Sequence, residues 1–133
     1  MNLPNVGEVV TVSATAATGT VNYDSITQSV LFYTTNASGN WTLNIRGSST
    51  VSLNSMLATG QAISITFLVT QGATAYYNSS VQVDGTTSGV TTQWQGGTAP
   101  TAGNASGTDI YTYTIVKTAS ATYNVFASQT QFK

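Results

Sequence analysis

The 133-residue chain contains no cysteine and no histidine. Without cysteine it has no disulfide, no thiol nucleophile and no zinc–thiolate or iron–sulfur ligand set. Without histidine it lacks the commonest metal ligand and the usual general base of hydrolytic triads. Charge is scarce as well, since only three residues are Lys or Arg and four are Asp or Glu. Phosphate backbones are bound by clustered cations, so we expect no nucleic-acid partner, no metal and no cofactor.

Long apolar runs are also missing. No run approaches the roughly 18–20 residues of a transmembrane helix. The first eight residues have neither the basic start nor the apolar block of a secretory signal. We therefore expect no membrane partner and no export by a leader. Disorder is not expected either, because the mean hydropathy is +0.05 and the chain carries seven Tyr, four Phe and two Trp.

What is present favours strands. Thr, Ser and Val are abundant, and Tyr and Ile add to the residues that favour strands. Trp41, Leu43 and Ile45 alternate with polar residues, and residues 10–15, 63–69 and 111–116 alternate in the same way. Turn residues separate these runs: residues 36–40 are typical of a hairpin loop, and Asp84-Gly85 is a strong signal for a tight turn.

These patterns predict an all-β fold with about eight short strands. We expect a single-domain antiparallel β-sandwich, jelly-roll or Ig-like, over residues 9–133, preceded by an N-terminal arm at residues 1–8. One short helical turn is expected near residues 53–58, with Leu53 and Leu57 facing inward.

Catalytic chemistry finds little support in the acidic residues. Asp84 and Asp109 each border a turn or the start of a strand, where Asp commonly makes local hydrogen bonds. A glycosidase needs a pair of carboxylates set a few ångströms apart, and four acids spread over the chain are a weak basis for one. The sequence therefore predicts a protein that is not an enzyme and has no catalytic residues.

Exposed aromatic and amide residues are the better candidates for a site. Tyr76 and Tyr77 are adjacent, so in a strand they point to opposite faces. Trp94 stands where a strand gives way to the long loop at residues 95–108, and Gln95 and Asn104 supply amides in that loop. An exposed Tyr or Trp beside amides suits a glycan platform or a protein interface. The alternative is that these aromatic side chains are partly buried with satisfied polar tips.

Four stretches carry a resemblance to a known family. They are LFYTTNASGNWTLN at residues 31–44, LNSMLATGQ at 53–61, FLVTQGATAYY at 67–77 and WQGGTAPTAGN at 94–104. Together they resemble a small β-domain that recurs in virion structural proteins, decoration or fibre-like, of marine tailed phages, notably cyanophages. The resemblance covers roughly residues 20–133 and names no catalytic residue.

This resemblance implies a virion protein that is assembled in the host cytoplasm and released by lysis. We expect a non-enzymatic capsid decoration or cement protein, displayed on the particle surface. Its partners would be the major capsid protein or other virion proteins, and copies of itself, with a trimer favoured. The alternative is a tail-fibre or receptor-binding module that contacts a host-surface glycan through Tyr76, Tyr77, Trp94, Gln95 and Asn104.

Overall fold

The computed structural model describes residues 7–133. The first six residues of the predicted N-terminal arm lie outside the described residues. Over the described part strands dominate the regular structure and helix is confined to two short turns, which confirms the predicted all-β class. Its elements, in chain order, are β1 (Val10–Ala16), β2 (Gly19–Asp24), β3 (Val30–Thr35), β4 (Trp41–Arg46), α1 (Leu53–Met56), β5 (Ala62–Thr70), β6 (Asn78–Val83), β7 (Val90–Trp94), a 3₁₀ turn (Gln95–Gly97), β8 (Thr108–Ala119) and β9 (Thr122–Phe132).

The strands form two sheets. One has six strands in the order β1-β3-β5-β8-β9-β7, and the other has three in the order β2-β4-β6. From β1 to β6 the chain passes alternately from one sheet to the other, so each strand lies parallel to the strand two before it. In the six-stranded sheet β8 alone runs in the opposite direction, so its pairings with β5 and with β9 are antiparallel. The final neighbour, β7, runs parallel to β9.

The predicted antiparallel, jelly-roll or Ig-like pairing is therefore wrong for most of the chain. Parallel neighbours need a crossover between them, and here each crossover is a strand of the opposite sheet. Residues 36–40, expected to be a hairpin loop, instead carry the chain from β3 in one sheet to β4 in the other. Period-two alternation reports which face of a strand is buried, and it carries no information on the direction of the neighbouring strand.

Two local predictions are confirmed. The helical turn forms at α1, and both Leu53 and Leu57 are buried. The Asp84-Gly85 pair makes a tight turn in which both residues have positive φ, 51° and 80°. The flanking Val83 and Thr86 exchange backbone hydrogen bonds of 3.1 and 3.2 Å, as expected for a two-residue hairpin turn.

The hydrophobic core lies between the two sheets. Trp41, at the start of β4 in the three-stranded sheet, is fully buried. Its ring meets two aromatic rings of the six-stranded sheet edge to face: Phe67 at 5.8 Å and Tyr111 at 5.5 Å between centroids. Aromatic pairs in this geometry are stabilising beyond the area that they bury. Trp41 therefore joins the two layers directly.

Replacing Trp41 tests this arrangement. We expect Trp41→Ala to lower the free energy of unfolding by about 3–5 kcal/mol, because it removes the largest buried side chain and leaves a cavity between the sheets. Trp41→Phe should lower it by less than half as much, since a ring remains and the indole N–H, which has no hydrogen-bond partner, is removed. Urea denaturation followed by circular dichroism measures both values.

The control for these variants is Ile26→Ala, which removes an exposed apolar side chain in the turn after β2. It should change the free energy of unfolding by no more than about 0.5 kcal/mol. A loss below about 1 kcal/mol in Trp41→Ala would contradict the role of this contact, because a buried large-to-small change normally costs more.

Candidate functional site around Trp94

Trp94 owes its position to the unequal width of the two sheets. It ends β7, the edge strand of the six-stranded sheet, and its register partner on β9 is the buried Ala127. The side chain of Trp94 therefore lies on the inner face of that sheet. Three strands span about half the width of six, so the smaller sheet leaves this margin of the inner face uncovered. Trp94 is partly exposed there while still packed against the core.

The indole of Trp94 is fixed from behind by two tyrosines. Its centroid lies 6.3 Å from that of Tyr111 and 6.2 Å from that of Tyr113, both edge to face. The two tyrosine rings stack at 6.2 Å with an interplanar angle of 10°. Their hydroxyls are also engaged: Tyr113 donates to Asn78 Oδ1 at 3.0 Å, and Tyr111 accepts from Gln129 Nε2 at 2.8 Å. Burial raises the pKa of both tyrosines above the usual value, so both stay neutral. Trp94 thus presents a rigid aromatic surface.

Two grooves border Trp94, one on the side of its indole and the other on the opposite side of the sheet edge, where Gln93 and Phe126 lie. One, of about 350 Å³, lies between β6 and β7 and is lined by Tyr77, Ser79, Thr92 and Pro100 among others. The other, of about 330 Å³, is lined by Gln93, Gln95, Phe126 and Ser128 around Trp94. The residues that line the two grooves carry hydroxyls, amides and apolar groups, and none of them is charged. We call this surface the Trp94 groove.

The structure brings together three of the five predicted site residues. Trp94, Gln95 and Tyr77 all line the Trp94 groove. Tyr76 lies apart, because its ring packs against the core and its backbone is held by Gln71, which donates to the carbonyl at 2.6 Å and accepts from the N–H at 3.1 Å. Asn104 also lies apart: its side chain donates to the carbonyl of Phe132 at 2.9 Å.

Sequence reasoning missed Phe126. Tyr123, Val125 and Ala127 are buried in β9, so the strand alternation places Phe126 on the opposite, exposed face. That alternation was readable from the sequence. The approach of β9 to β7 was not, because it depends on a parallel pairing between strands separated by β8.

The loop that follows Trp94 is pinned to the end of the sheet. Gln129 Nε2 donates to the carbonyl of Ala102 at 3.0 Å. At Gly103 an added Cβ would lie 2.3 Å from the carbonyl oxygen of Tyr76, so only glycine fits there. Further on, the N–H of Asn104 donates to Asp109 Oδ2 at 3.0 Å. These contacts hold the loop as a fixed wall beside the groove.

The two aspartates weighed as catalytic candidates both bind backbone or amide groups. Asp84 accepts the N–H groups of Leu53 and Asn54 at 2.7 and 3.0 Å and so holds the start of α1. Asp109 is fully buried, and its Oδ2 accepts from Gln71 Nε2 and from the Asn104 N–H, each at 3.0 Å. Asp84 borders a groove together with Arg46 and Ser52, but both of its oxygens already accept backbone N–H groups. This arrangement suits structural acceptors.

Lys117 also serves the interior. It is buried, and its Nζ donates to the carbonyls of Asn54 and Leu57 at 2.7 Å each. Together with Asp84 it fixes both ends of the α1 turn. Arg46 and Asp24 form an ion pair, with Arg46 Nε 2.6 Å from Asp24 Oδ1. Within residues 7–133 no group of three or more Asp or Glu side chains is placed to hold a metal ion, and no helix there is long and apolar enough to cross a membrane.

Comparison with known proteins adds no assignment. No family model, no curated protein and no solved structure matches this chain. The resemblance to marine phage virion domains therefore stays a prediction.

Asp109 makes stability depend on pH. Burial raises its pKa above the usual value, against the opposing effect of the hydrogen bonds from Asn104 and Gln71. The folded protein then favours the protonated form. The resulting stabilisation is fully present below the ordinary aspartate pKa of about 3.9, and it is lost as the pH rises through the higher folded pKa.

We therefore expect the free energy of unfolding of the wild type to fall over that acid range, and Asp109→Asn to remove most of the fall. The amide is neutral at every pH and can accept the same two hydrogen bonds. Urea denaturation at a series of pH values from about 3 to 7 measures the slope, which spans the ordinary carboxyl range. Ser49→Asn, an uncharged change at an exposed loop position, is the control and should keep the wild-type slope. An unchanged slope in Asp109→Asn would rule out this assignment.

Proposed function

We propose that the protein is a non-enzymatic structural component of a phage particle, displayed on the capsid as a decoration or cement protein. Its main partner would be the major capsid protein. It would be assembled in the host cytoplasm and released with the virion by lysis. The support from the sequence is the resemblance described above, and the support from the structure is the way in which the chain uses its few charges.

The observation that carries the proposal is that most charged side chains are tied to the protein itself. Asp24 pairs with Arg46, while Asp84, Asp109 and Lys117 bind backbone or amide groups. Glu8 and Lys133 are exposed near the two ends of the described chain, and the surface between them carries mainly hydroxyls, amides and apolar groups. Contacts made by such a surface are little weakened by salt, because screening acts on charges. A neutral, rigid β-domain is suited to docking on a protein lattice.

The architecture fits this role. We infer that the two layers form a β-sandwich in the broad sense, because the core lies between them, although the strand directions differ from those of antiparallel sandwiches. Within residues 7–133, seven strand pairings join segments of the chain that are mostly distant in sequence. Such a fold gives a stable body for display.

Quantitative mass spectrometry of purified particles tests the proposal. We expect a copy number in fixed proportion to that of the major capsid protein, since a decoration protein follows the symmetry of the lattice. Attachment should also persist when NaCl is raised from about 0.1 M to about 1 M, because few charges are free for screening. Absence from particles, or a copy number confined to a tail or a vertex, would contradict capsid decoration.

A receptor- or glycan-binding role is the second candidate, and the Trp94 groove favours it. Sugars present C–H faces that pack on aromatic rings, and hydroxyls that bond to amides and hydroxyls. In the groove beside β6 the indole of Trp94 supplies the ring and Tyr77 and Ser79 supply hydroxyls, while Gln95 supplies an amide in the second groove. Because no charged residue lines the groove, the ligand class would be a neutral saccharide.

Glycan-array binding followed by titration calorimetry tests this second role. We expect Gln95→Ala to weaken binding of a neutral saccharide by about tenfold, the value of one lost hydrogen bond of about 1.4 kcal/mol. Gln95 is exposed, so the fold should be unaffected. Trp94→Phe should retain part of the affinity that Trp94→Ala loses. Gln131→Ala, at an exposed amide distant from the groove, is the matched control. Failure of the folded wild type to bind any glycan would count against this role.

A further inference from the structure

Within residues 7–133, one face of the six-stranded sheet is covered by no second layer. The inner face packs on the three-stranded sheet, and the opposite side of β1, β3, β5, β8 and β9 is here called the outer face. Strand register aligns Val12 with Phe32, Phe32 with Leu68 and Leu68 with Ile110. These four side chains alternate with inward-facing residues and so form one apolar row across four neighbouring strands.

Further apolar side chains flank this row. Val10 is 46% exposed beside Val12 on β1, and Phe126 and Phe132 are 47% and 51% exposed on β9. Between them lie hydroxyl side chains that already bond to each other across the strands, Ser64 with Thr114 and Thr112 with Ser128. Satisfied hydroxyls lose little when they are covered, so the face as a whole is suited to burial.

The outer face carries no charge. The only ionisable acidic or basic residues within its five strands are Asp109 and Lys117, and both point inward and are buried. Edge strands of monomeric proteins are usually protected by charged residues or proline, whereas β1 has neither in its sequence VTVSATA. A neutral face meets a second copy of itself without repulsion, and it offers nothing to attract a charged partner.

The size of the face is sufficient for a dimer contact. Five strands span about 24 Å and six residues along a strand span about 20 Å, which gives roughly 480 Å² per copy. Two copies would bury roughly 960 Å², close to the ~1,000 Å² expected of a specific interface and in the range of a weak contact that dissociates on dilution. Exposed apolar patches of several hundred Å² on a monomer generally mark an interaction site.

We propose that the outer face is the contact surface of a two-fold homodimer, in which the apolar row of one copy packs on that of the other. Self-contact through one surface is isologous and closes with two copies, so the trimer expected from the sequence would need a different surface. The proposal goes beyond the virion role and does not depend on it.

Sedimentation analysis of the purified chain tests the proposal. The wild type should be a dimer that dissociates on dilution. Thr112→Lys places one charge at an exposed position in the middle of the outer face, and it should yield a monomer with unchanged circular dichroism. Ser49→Lys adds the same charge at an exposed loop position and should remain dimeric. A wild type that stays monomeric at millimolar concentration, or that forms trimers, overturns the proposal.

A second measurement locates the surface even if a lysine variant misfolds. Because the chain has no cysteine, Thr112→Cys and Ser49→Cys each carry a single thiol. In the dimer a maleimide should react slowly at position 112 and rapidly at position 49, and dilution should abolish the difference. A dimer with equal reactivity at both positions overturns the proposed surface. A monomeric wild type found on particles would leave the virion role intact and refute the dimer.

Discussion

The contact on which the rest of the structure depends is the packing of Trp41 between the two sheets. Trp41 meets Phe67 and Tyr111 edge to face, and Tyr111 with Tyr113 supports the indole of Trp94. The aromatic chain thus runs from the centre of the core to the surface groove. Because interiors are close-packed, a change at Trp41 would be felt by the side chains that position Trp94. The core and the candidate site form one physical unit.

Most of the few charged side chains make contacts within the protein. Lys117 and Asp84 fix the ends of α1, and Asp109 holds the loop after Trp94 through Asn104 and Gln71. Each of these groups satisfies backbone or amide partners that would otherwise be buried without a hydrogen bond. Because these charges are used inside the protein, its surface carries few charged groups. The proposed capsid contact, the Trp94 groove and the outer face share this property.

The proposed surfaces are arranged so that they need not exclude one another. The groove between Tyr77 and Trp94 opens between β6 and β7, away from the apolar row on the outer face. Phe126 is common to the outer face and to the second groove beside Trp94, so dimer contact would border that groove and leave the first one open. A displayed domain would then keep one binding surface free while another is covered.

Much of the local structure was predictable from the sequence, and the reasons are physical. Alternation at residues 41–46 identified β4 and its buried side, the Asp84-Gly85 pair identified a tight turn, and Leu53 with Leu57 identified the buried side of α1. Each depends on interactions within a few residues of the chain. The positions of Tyr76 and Asn104 were not predictable in this way, and both lie outside the Trp94 groove. Tyr76 is held by Gln71 across a loop, and Asn104 donates to the carbonyl of Phe132, which is distant in sequence.

By itself, therefore, the sequence determined the all-β class, the scarcity of ionisable residues and the buried side of β4, β5 and β8. Only the tertiary structure decided that neighbouring strands run mostly parallel, that the apolar Val10 and Val12 of β1 are exposed, and that Phe126 lies beside Gln93 of β7. The physical reason is that strands pair through backbone groups that every residue other than proline carries. Side-chain patterns along one strand select a face, while the direction and identity of its neighbour are selected by how the whole chain packs its core.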